Sequence, residues 1–373
     1  MTAKEREKEK SSARTQRGQL LFCVMGITSL VLAFAYSEET IGAMSLGMKL
    51  CVNTVIPSLF PFMVISELFV ASGAAELLGK LLGAPLSKAF GVSGEGSVAW
   101  LLGIFCGFPI GVRSAISLYE RGRISRGELE HLCAFCNGPS SAFLISAVGS
   151  SLFGSKKFGI LLYVAHIISS FLIGVLSKFY FLGKGSEYCP MNKQTGKRGE
   201  GFSSCFSRAV TSSASSMLFI CAFVIFFSAL TGFLRMVCSA LNISVLFQTL
   251  IFGFFEMTGG AVSACQLPES LAVATVAAIT GWSGLSVHFQ LVGIIGSHDV
   301  AFAPYIVCKA VSSLLCCGVT LALMRIFGRD ILLGEGGSVS SLLVFEDIRV
   351  PLLILSAFFM ACAALYLKAC KGK

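Results

Sequence analysis

Four polar or ionisable residues lie deep inside apolar stretches of the second half of the chain: Glu256, His288, Gln290 and Lys309. A charged side chain in a lipid-embedded segment is costly, so such residues usually mark a solute pathway, a proton site or an ion site. Lys309 is too far from both ends of its apolar stretch to reach the interface easily, so we expect it to face an aqueous cavity or a partner. A charge pair between Lys309 and Glu256 is the alternative.

Helix-breaking and small polar residues interrupt the apolar stretches at four places. In chain order, the interruptions contain Gly107, Pro109 and Gly111; Asn137, Gly138, Pro139 and Ser140; Thr258 and Gly259; and Gly281, Trp282 and Ser283. Glycine permits a positive φ and proline lacks a backbone donor, so these positions predict chain reversals or helix breaks that present polar groups to a solute. Kinks and packing that serve no solute are the alternative.

Two large side chains near these interruptions each have two interpretations. Trp282 could stack on a flat ring of the solute, or it could anchor the chain at the membrane interface. Arg113 could bind a carboxylate through both guanidinium nitrogens, or it could contribute only to the positive charge of a cytoplasmic loop.

Motifs for other chemistry are missing from the sequence. It contains no HExxH, GxSxG or GxxxxGK[ST] pattern, so we predict no enzyme, no bound nucleotide and no cofactor. Cys133 and Cys136 have the spacing of metal ligands but no second pair, so we predict no metal site. The basic residues form no stripe with exposed aromatic residues, and we therefore expect no nucleic-acid partner.

The elements that must position these residues are membrane-spanning helices. Hydrophobic residues make up 55% of the chain and charged residues 13%, and the mean hydropathy is +0.81. This composition excludes an ordinary soluble globule and makes the lipid bilayer the surrounding medium. The apolar runs are continuous rather than alternating, which predicts an all-α polytopic membrane protein.

The distribution of basic residues refines the predicted topology. If 96–118 and 246–267 are re-entrant hairpins rather than full spans, then 21 of the 29 basic residues lie on the cytoplasmic side, seven lie outside and Lys309 lies within a span. This asymmetry satisfies the positive-inside rule, which a count with every run as a full span does not. We therefore predict about eight full spans, two re-entrant hairpins and cytoplasmic termini.

A weak internal repeat, offset by about 143 residues, supports the same arrangement. Each half contains a span, a hairpin, a broken span and a further span, and the charge count runs the two halves in opposite directions, as in transporters built from inverted repeats. The predicted organisation is a disordered cytoplasmic tail (1–18), a first transmembrane helix and loop (19–49), a first gate-like repeat (50–182), a cytoplasmic linker (183–208), a second gate-like repeat (209–327), and a loop with the last transmembrane helix (328–373).

Several motifs together resemble the YlbJ-type sporulation integral membrane proteins. They are Phe105–Gly111, Leu118–Gly122, Phe135–Ser140, Gly253–Thr258 and Gly281–Gln290. The resemblance implies nucleoside-recognition gate domains similar to the hairpin-bearing core of concentrative nucleoside transporters. It also implies a carrier that moves dipicolinate from the mother cell across the outer forespore membrane, and it brings the interruption residues together as a substrate path.

Two alternatives to a dipicolinate carrier stay open at this point. A nucleoside or other small-solute carrier would use the same scaffold, and a protein of spore-envelope assembly would need no transport at all. The residues themselves do not identify the substrate, but they are compatible with a small anionic aromatic one, because Arg113 and Lys309 supply positive charge and Trp282 supplies a ring. The sequence does not identify the coupling ion, the oligomeric state or any transport complex in the apposed membrane.

Overall fold

The computed structural model describes residues 36–72, 79, 83, 85–182, 202–296, 298 and 300–327. Within these residues the regular structure is entirely helical. The predicted tail (1–18), most of the first transmembrane helix (19–49), most of the linker (183–208) and the last transmembrane helix (within 328–373) lie outside the described residues.

The first half begins with a continuous helical stretch and continues as a series of short helices. Helix α1 (Ser37–Leu50) leads through a π-helical segment (Cys51–Val55) into α2 (Ile56–Ala71). The following helices are α3 (Gly94–Cys106), α4 (Ile110–Glu120), α5 (Arg126–Phe135), a second π-helical segment (Phe143–Leu152) and the long α6 (Lys156–Leu182).

The second half repeats this order of long and short helices. It begins with α7 (Phe202–Ala240), followed by α8 (Val245–Phe255), α9 (Met257–Ala264), α10 (Glu269–Trp282), α11 (Gly284–Ile295) and α12 (Phe302–Phe327). The pairs α3–α4 and α8–α9 form two helical hairpins, here called hairpin 1 and hairpin 2. Two further helices are interrupted. The first interruption lies between α5 and the second π-helical segment and is here called break 1 (136–142); the second lies between α10 and α11 and is here called break 2 (283).

Four helical stretches in the described residues are long and apolar enough to cross a membrane, by length and composition. They are Lys156–Phe181, Ser203–Ala240, Glu269–Ile295 and Phe302–Phe327. Leu59–Phe69, Gly94–Cys106, Phe143–Leu152 and Val245–Phe255 are apolar but shorter. The all-helical membrane class is therefore confirmed, while the count of about eight spans and the re-entrant entry of the hairpins stay predictions.

Two boundaries differ from those expected from the sequence. Residues 37–50 are helical where a loop after the first span was expected, and α7 begins at Phe202, inside the expected linker. The reason is tertiary: α1 packs along α7, and a Cβ at Gly47 would lie 2.8 Å from the Ser228 hydroxyl. Small residues let two helices approach this closely, and the packing extends α1 beyond what its own propensity indicates.

Helix α12 lies at the centre of the bundle. It packs against α10 of its own half and against α5 and α6 of the first half. The largest core cluster contains residues of both halves, among them Trp100, Leu132, Trp282 and Tyr305. A side chain on the inner face of α12 can therefore reach both breaks.

Candidate functional site

The tip of hairpin 1 packs directly on break 1. Gly107 has φ +80°, and a Cβ there would lie 2.6 Å from Cα of Ser140. The backbone N–H of Phe108 donates to the Gly138 carbonyl over 2.7 Å. Pro109 precedes the first residue of α4. Proline has no backbone N–H, and none is needed at the start of a helix. The glycine and proline of the first interruption thus shape a chain reversal, as the sequence predicts.

The tip of hairpin 2 packs on break 2 in the same manner. Ser283 and Gly284 both have positive φ, and a Cβ at Gly284 would lie 2.9 Å from the backbone nitrogen of Met257. The indole N–H of Trp282 donates to the Phe254 carbonyl over 3.1 Å, and the ring stacks on Phe254 with centroids 5.6 Å apart. Trp282 is fully buried in this contact, so it fixes hairpin 2 to the broken helix and does not lie at an interface.

Lys309 joins the two breaks. Its ammonium group donates to the main-chain carbonyl of Asn137 in break 1 and, over 3.2 Å, to the hydroxyl of Ser283 in break 2. Only 3% of the residue is exposed. Both acceptors are neutral, so the charge-pair alternative with Glu256 is not the arrangement that the structure has. The sequence predicted that Lys309 faces an aqueous cavity or a partner, and in the structure its partners are these two acceptors.

A second connection between the breaks passes through Tyr305, one turn before Lys309 on α12. The Asn137 amide nitrogen lies 3.3 Å from the Tyr305 hydroxyl, which lies 2.8 Å from Nδ1 of His288. All three residues are buried. Two atoms at the ends of this chain, Oδ1 of Asn137 and Nε2 of His288, have no hydrogen-bond partner. Buried polar atoms are nearly always paired, so these two atoms are available to a water molecule or a ligand.

A small cavity adjoins break 1 and Lys309. It has a volume of about 30 Å³ and is lined by polar side chains that include Asn137, Tyr163, His166 and Lys309. Space of this size holds a water molecule but no aromatic ring. The cavity as it stands therefore admits water but is too small for an aromatic solute.

Glu256 has a local role that the sequence did not indicate. Its carboxylate accepts hydrogen bonds from the backbone N–H groups of Thr258, at 2.8 Å, and of Gly259, and so caps the first turn of α9. The amides of Thr258 and Gly259 are thus already used by a protein carboxylate. An acid at this helix start is stabilised by the helix dipole.

Arg113 lies away from the Lys309 centre. Its guanidinium donates to Glu67 on α2 over 2.7 Å and to the Ser212 hydroxyl on α7 over 2.6 Å. The carboxylate that it binds in this structure is therefore Glu67. The contact ties hairpin 1 to the long helices beside it.

The remaining predicted residues are buried around these groups. Gly111 of hairpin 1, together with Gly103, which was not a predicted site residue, faces the Cys136 carbonyl so closely that a Cβ at either would overlap it. A Cβ at Gly281 would lie 2.8 Å from Cα of Ser313. Pro139, Ser140 and Gln290 are buried, and Gly138 is partly buried in break 1. Among the described residues, no group of three or more His, Cys, Asp or Glu side chains could hold a metal ion.

Tyr305 and His166 belong to the centre although neither was a predicted site residue. His166 lies on α6, and its Nε2 is 3.0 Å from the Thr280 hydroxyl on α10. The internal repeat aligns 163–170 with 305–313 and sets His166 opposite Lys309. That alignment was the signal in the sequence that could have identified both residues.

Comparison with known proteins relates the chain to a family profile and to a named relative. Residues 52–226 match the family profile described as Gate, nucleoside recognition. The chain is 29% identical over 310 residues to the sporulation integral membrane protein YlbJ of Bacillus subtilis (strain 168), an alignment that covers 74% of this chain and 75% of the relative. No solved structure matches the chain significantly.

The chain is thus an integral membrane protein with a Gate domain, formed by apolar helices around two helical hairpins. The resemblance to the YlbJ-type proteins, predicted from the motifs, is confirmed by this identity and by the Gate match over residues 52–226.

Proposed function

We propose that the protein is a membrane transporter that carries dipicolinate, pyridine-2,6-dicarboxylate, from the mother cell across the outer forespore membrane during sporulation. The name of its relative supports the link to sporulation. The alternation of hairpins and broken helices supports transport, because such breaks place polar groups in a membrane without exposing them to lipid.

The observation that carries the proposal is the environment of Lys309. This buried cation joins the two breaks through neutral acceptors, and its contacts in the described structure include no carboxylate. A buried charge without a counter-charge is costly, and an anionic ligand would reduce that cost. The surrounding aromatic and hydroxyl groups suit a flat, polar ring.

A nucleoside carrier is the second candidate function. The family description, nucleoside recognition, favours it, and Asn137, Ser283 and His288 offer neutral hydrogen-bonding groups of the kind that a nucleobase or ribose would use. A non-transporting role in spore-envelope assembly is the third. These candidates differ in the ligand that the purified protein should bind.

The experiment that separates them is equilibrium binding of dipicolinate to the purified protein in detergent, with adenosine as competitor. We expect saturable binding that adenosine does not displace. Lys309→Gln should weaken it by tenfold or more, because a charge-assisted hydrogen bond contributes about 1.5–3 kcal/mol. The matched control is Lys156→Gln, which removes an exposed lysine at the start of α6.

Each other result has a definite meaning. Binding of adenosine alone would assign the site to nucleosides. Binding of neither compound to protein that remains folded would favour the assembly role. Dipicolinate binding that survives Lys309→Gln unchanged would show that the anion binds elsewhere.

A further inference from the structure

The hydrogen bonds that connect Asn137, Tyr305 and His288, here called the hydrogen-bond chain, restrict which ligands can satisfy the site. It links break 1 to α11 through one hydroxyl on α12, and both of its terminal atoms are buried and unpaired. The Tyr305 hydroxyl has one proton and two lone pairs, and we take the proton to go to one of these two neighbours while a lone pair accepts from the other. We consider the imidazole neutral, because Lys309 already brings a positive charge into this buried centre.

The direction of this hydrogen-bond chain does not change the kinds of group that its two ends offer to a ligand. If the Asn137 amide donates to Tyr305, the Tyr305 hydroxyl donates to Nδ1 of His288. The ends are then the Asn137 carbonyl oxygen, an acceptor, and the His288 Nε2–H, a donor. If the chain runs the other way, the amide offers N–H groups and Nε2 offers a lone pair. In either case one end is a donor and the other is an acceptor.

A ligand that pairs with both ends must therefore bring one acceptor and one donor. Lys309 adds a requirement for negative charge. A fully ionised pyridine-dicarboxylate has oxygen and nitrogen acceptors but no donor, so it would leave the acceptor end unpaired in a buried site. The same compound with one proton keeps a negative charge and gains a donor.

On the basis of the proposed function, we infer that the protein binds and carries the singly protonated dicarboxylate, so that each substrate molecule takes one proton with it. Asn137, Tyr305 and His288 together recognise this form, and Lys309 recognises its remaining carboxylate. Tyr305 is a positioning residue, because it fixes the orientation of the Asn137 amide relative to the His288 ring.

The proton stays on the ligand throughout this scheme and no bond to it breaks in the site. The titratable groups that surround the three residues on neighbouring elements are Cys136, His166, Cys308 and Lys309. Any of these could add a pH dependence of its own, so the test needs a ligand that does not titrate.

The test compares dipicolinate with its monoamide, 6-carbamoylpyridine-2-carboxylate, in binding to the purified protein over a range of pH. The monoamide has one negative charge and a permanent N–H donor. For dipicolinate we expect the affinity to rise about tenfold for each unit by which the pH falls, while the dianion predominates in solution. The ratio of the dipicolinate affinity to the monoamide affinity should show the same change with pH, because the protein's own titrations affect both ligands alike.

Two variants make the assignment specific. In Tyr305→Phe the Asn137 amide is free to turn its N–H groups toward a dianion, so dipicolinate affinity should become independent of pH relative to the monoamide. Tyr163→Phe is the matched control: its hydroxyl lines the same cavity but donates to the Ile104 carbonyl, outside the chain. This variant should keep the wild-type dependence.

The possible failures are distinguishable. Dipicolinate binding that matches the monoamide at every pH overturns the inference while the proposed function stands. The same holds if Tyr163→Phe abolishes the dependence as fully as Tyr305→Phe. If neither compound binds, the proposed function fails and the inference fails with it.

Discussion

For single residues, close backbone contacts explain why glycine occupies several positions of hairpin 1. Gly103 on α3 and Gly111 on α4 both face the carbonyl oxygen of Cys136, the residue that precedes Asn137. The Asn137 carbonyl in turn accepts from Lys309. Because Gly103 and Gly111 have no side chains, break 1 can lie directly against hairpin 1. This contact also positions the Asn137 carbonyl that accepts from Lys309.

A substitution at Gly103 tests this dependence. We expect Gly103→Ala to lower the free energy of unfolding by about 1–3 kcal/mol, the usual cost of overpacking, and to weaken dipicolinate binding because break 1 must shift. The control is Gly127→Ala on α5, where a Cβ meets nothing within 4 Å. Thermal unfolding in detergent would measure both, and equal stability of the two variants would contradict the close contact.

At the scale of elements, hairpin 2 depends on the capping of a short helix. Helix α9 has only eight residues, and Glu256 caps it through the amides of Thr258 and Gly259. Isolated helices of this length are unstable in water, so capping and packing must hold it. The sequence interpretation of Glu256 as a pathway acid and the capping role lead to different expectations.

The variant Glu256→Gln separates these roles. A capping role predicts that the amide oxygen still accepts a backbone hydrogen bond, so stability falls by about 1 kcal/mol and transport continues. A proton-carrying role predicts that transport stops while substrate binding persists. Uptake into proteoliposomes, measured together with thermal unfolding, would decide between them, and Glu269→Gln at the exposed start of α10 is the control.

At the scale of the whole molecule, the two open ends of hairpin 1 lie together. Arg123, just after α4, forms an ion pair with Glu95 at the start of α3, with Nε and Oε2 2.7 Å apart. The Ser93 backbone N–H donates to Glu128 on α5 over 2.7 Å. A chain that enters a bilayer at Ser93 would therefore leave it on the same side, as the distribution of basic residues predicts.

Labelling of introduced cysteines would test this topology. Lys88→Cys and Glu120→Cys place exposed thiols before and after hairpin 1, and Lys156→Cys places one at the start of α6. We expect a membrane-impermeant maleimide added to intact cells to label the third variant but neither of the first two. The exposed native Cys265 must be replaced in all three. Opposite labelling of positions 88 and 120 would make hairpin 1 a full span.

Much of the element order was predictable because it depends on local chemistry. Continuous apolar runs predicted membrane helices, and the glycine and proline clusters around Gly107 and Asn137 predicted the first reversal and the first break. The hairpin bounds, 96–118 and 246–267, differ from those of the helices by at most three residues. The helicity of residues 37–50 was missed, because it results from packing on α7.

Some residues of the candidate site were predicted from the sequence, but Tyr305 and His166 were not, and neither were the contacts between the residues of the site. A buried lysine must find acceptors, and the sequence showed that Lys309 was buried without showing which acceptors it has. Glu256 and Arg113 were expected near a substrate, whereas the structure pairs one with its own helix start and the other with Glu67. Partners on distant elements depend on how the helices pack, which the spacing of residues does not encode.

Local chemistry is enough to predict a helical membrane protein with glycine and proline interruptions in both halves, because lipid allows few backbone structures and glycine and proline act locally. The position of α12 between the halves, the bridge that Lys309 makes between the two breaks, and the link from Asn137 through Tyr305 to His288 depend on the tertiary structure. Those contacts join residues 17 to 172 positions apart, and a contact over such distances forms only when the packed helices bring its partners together.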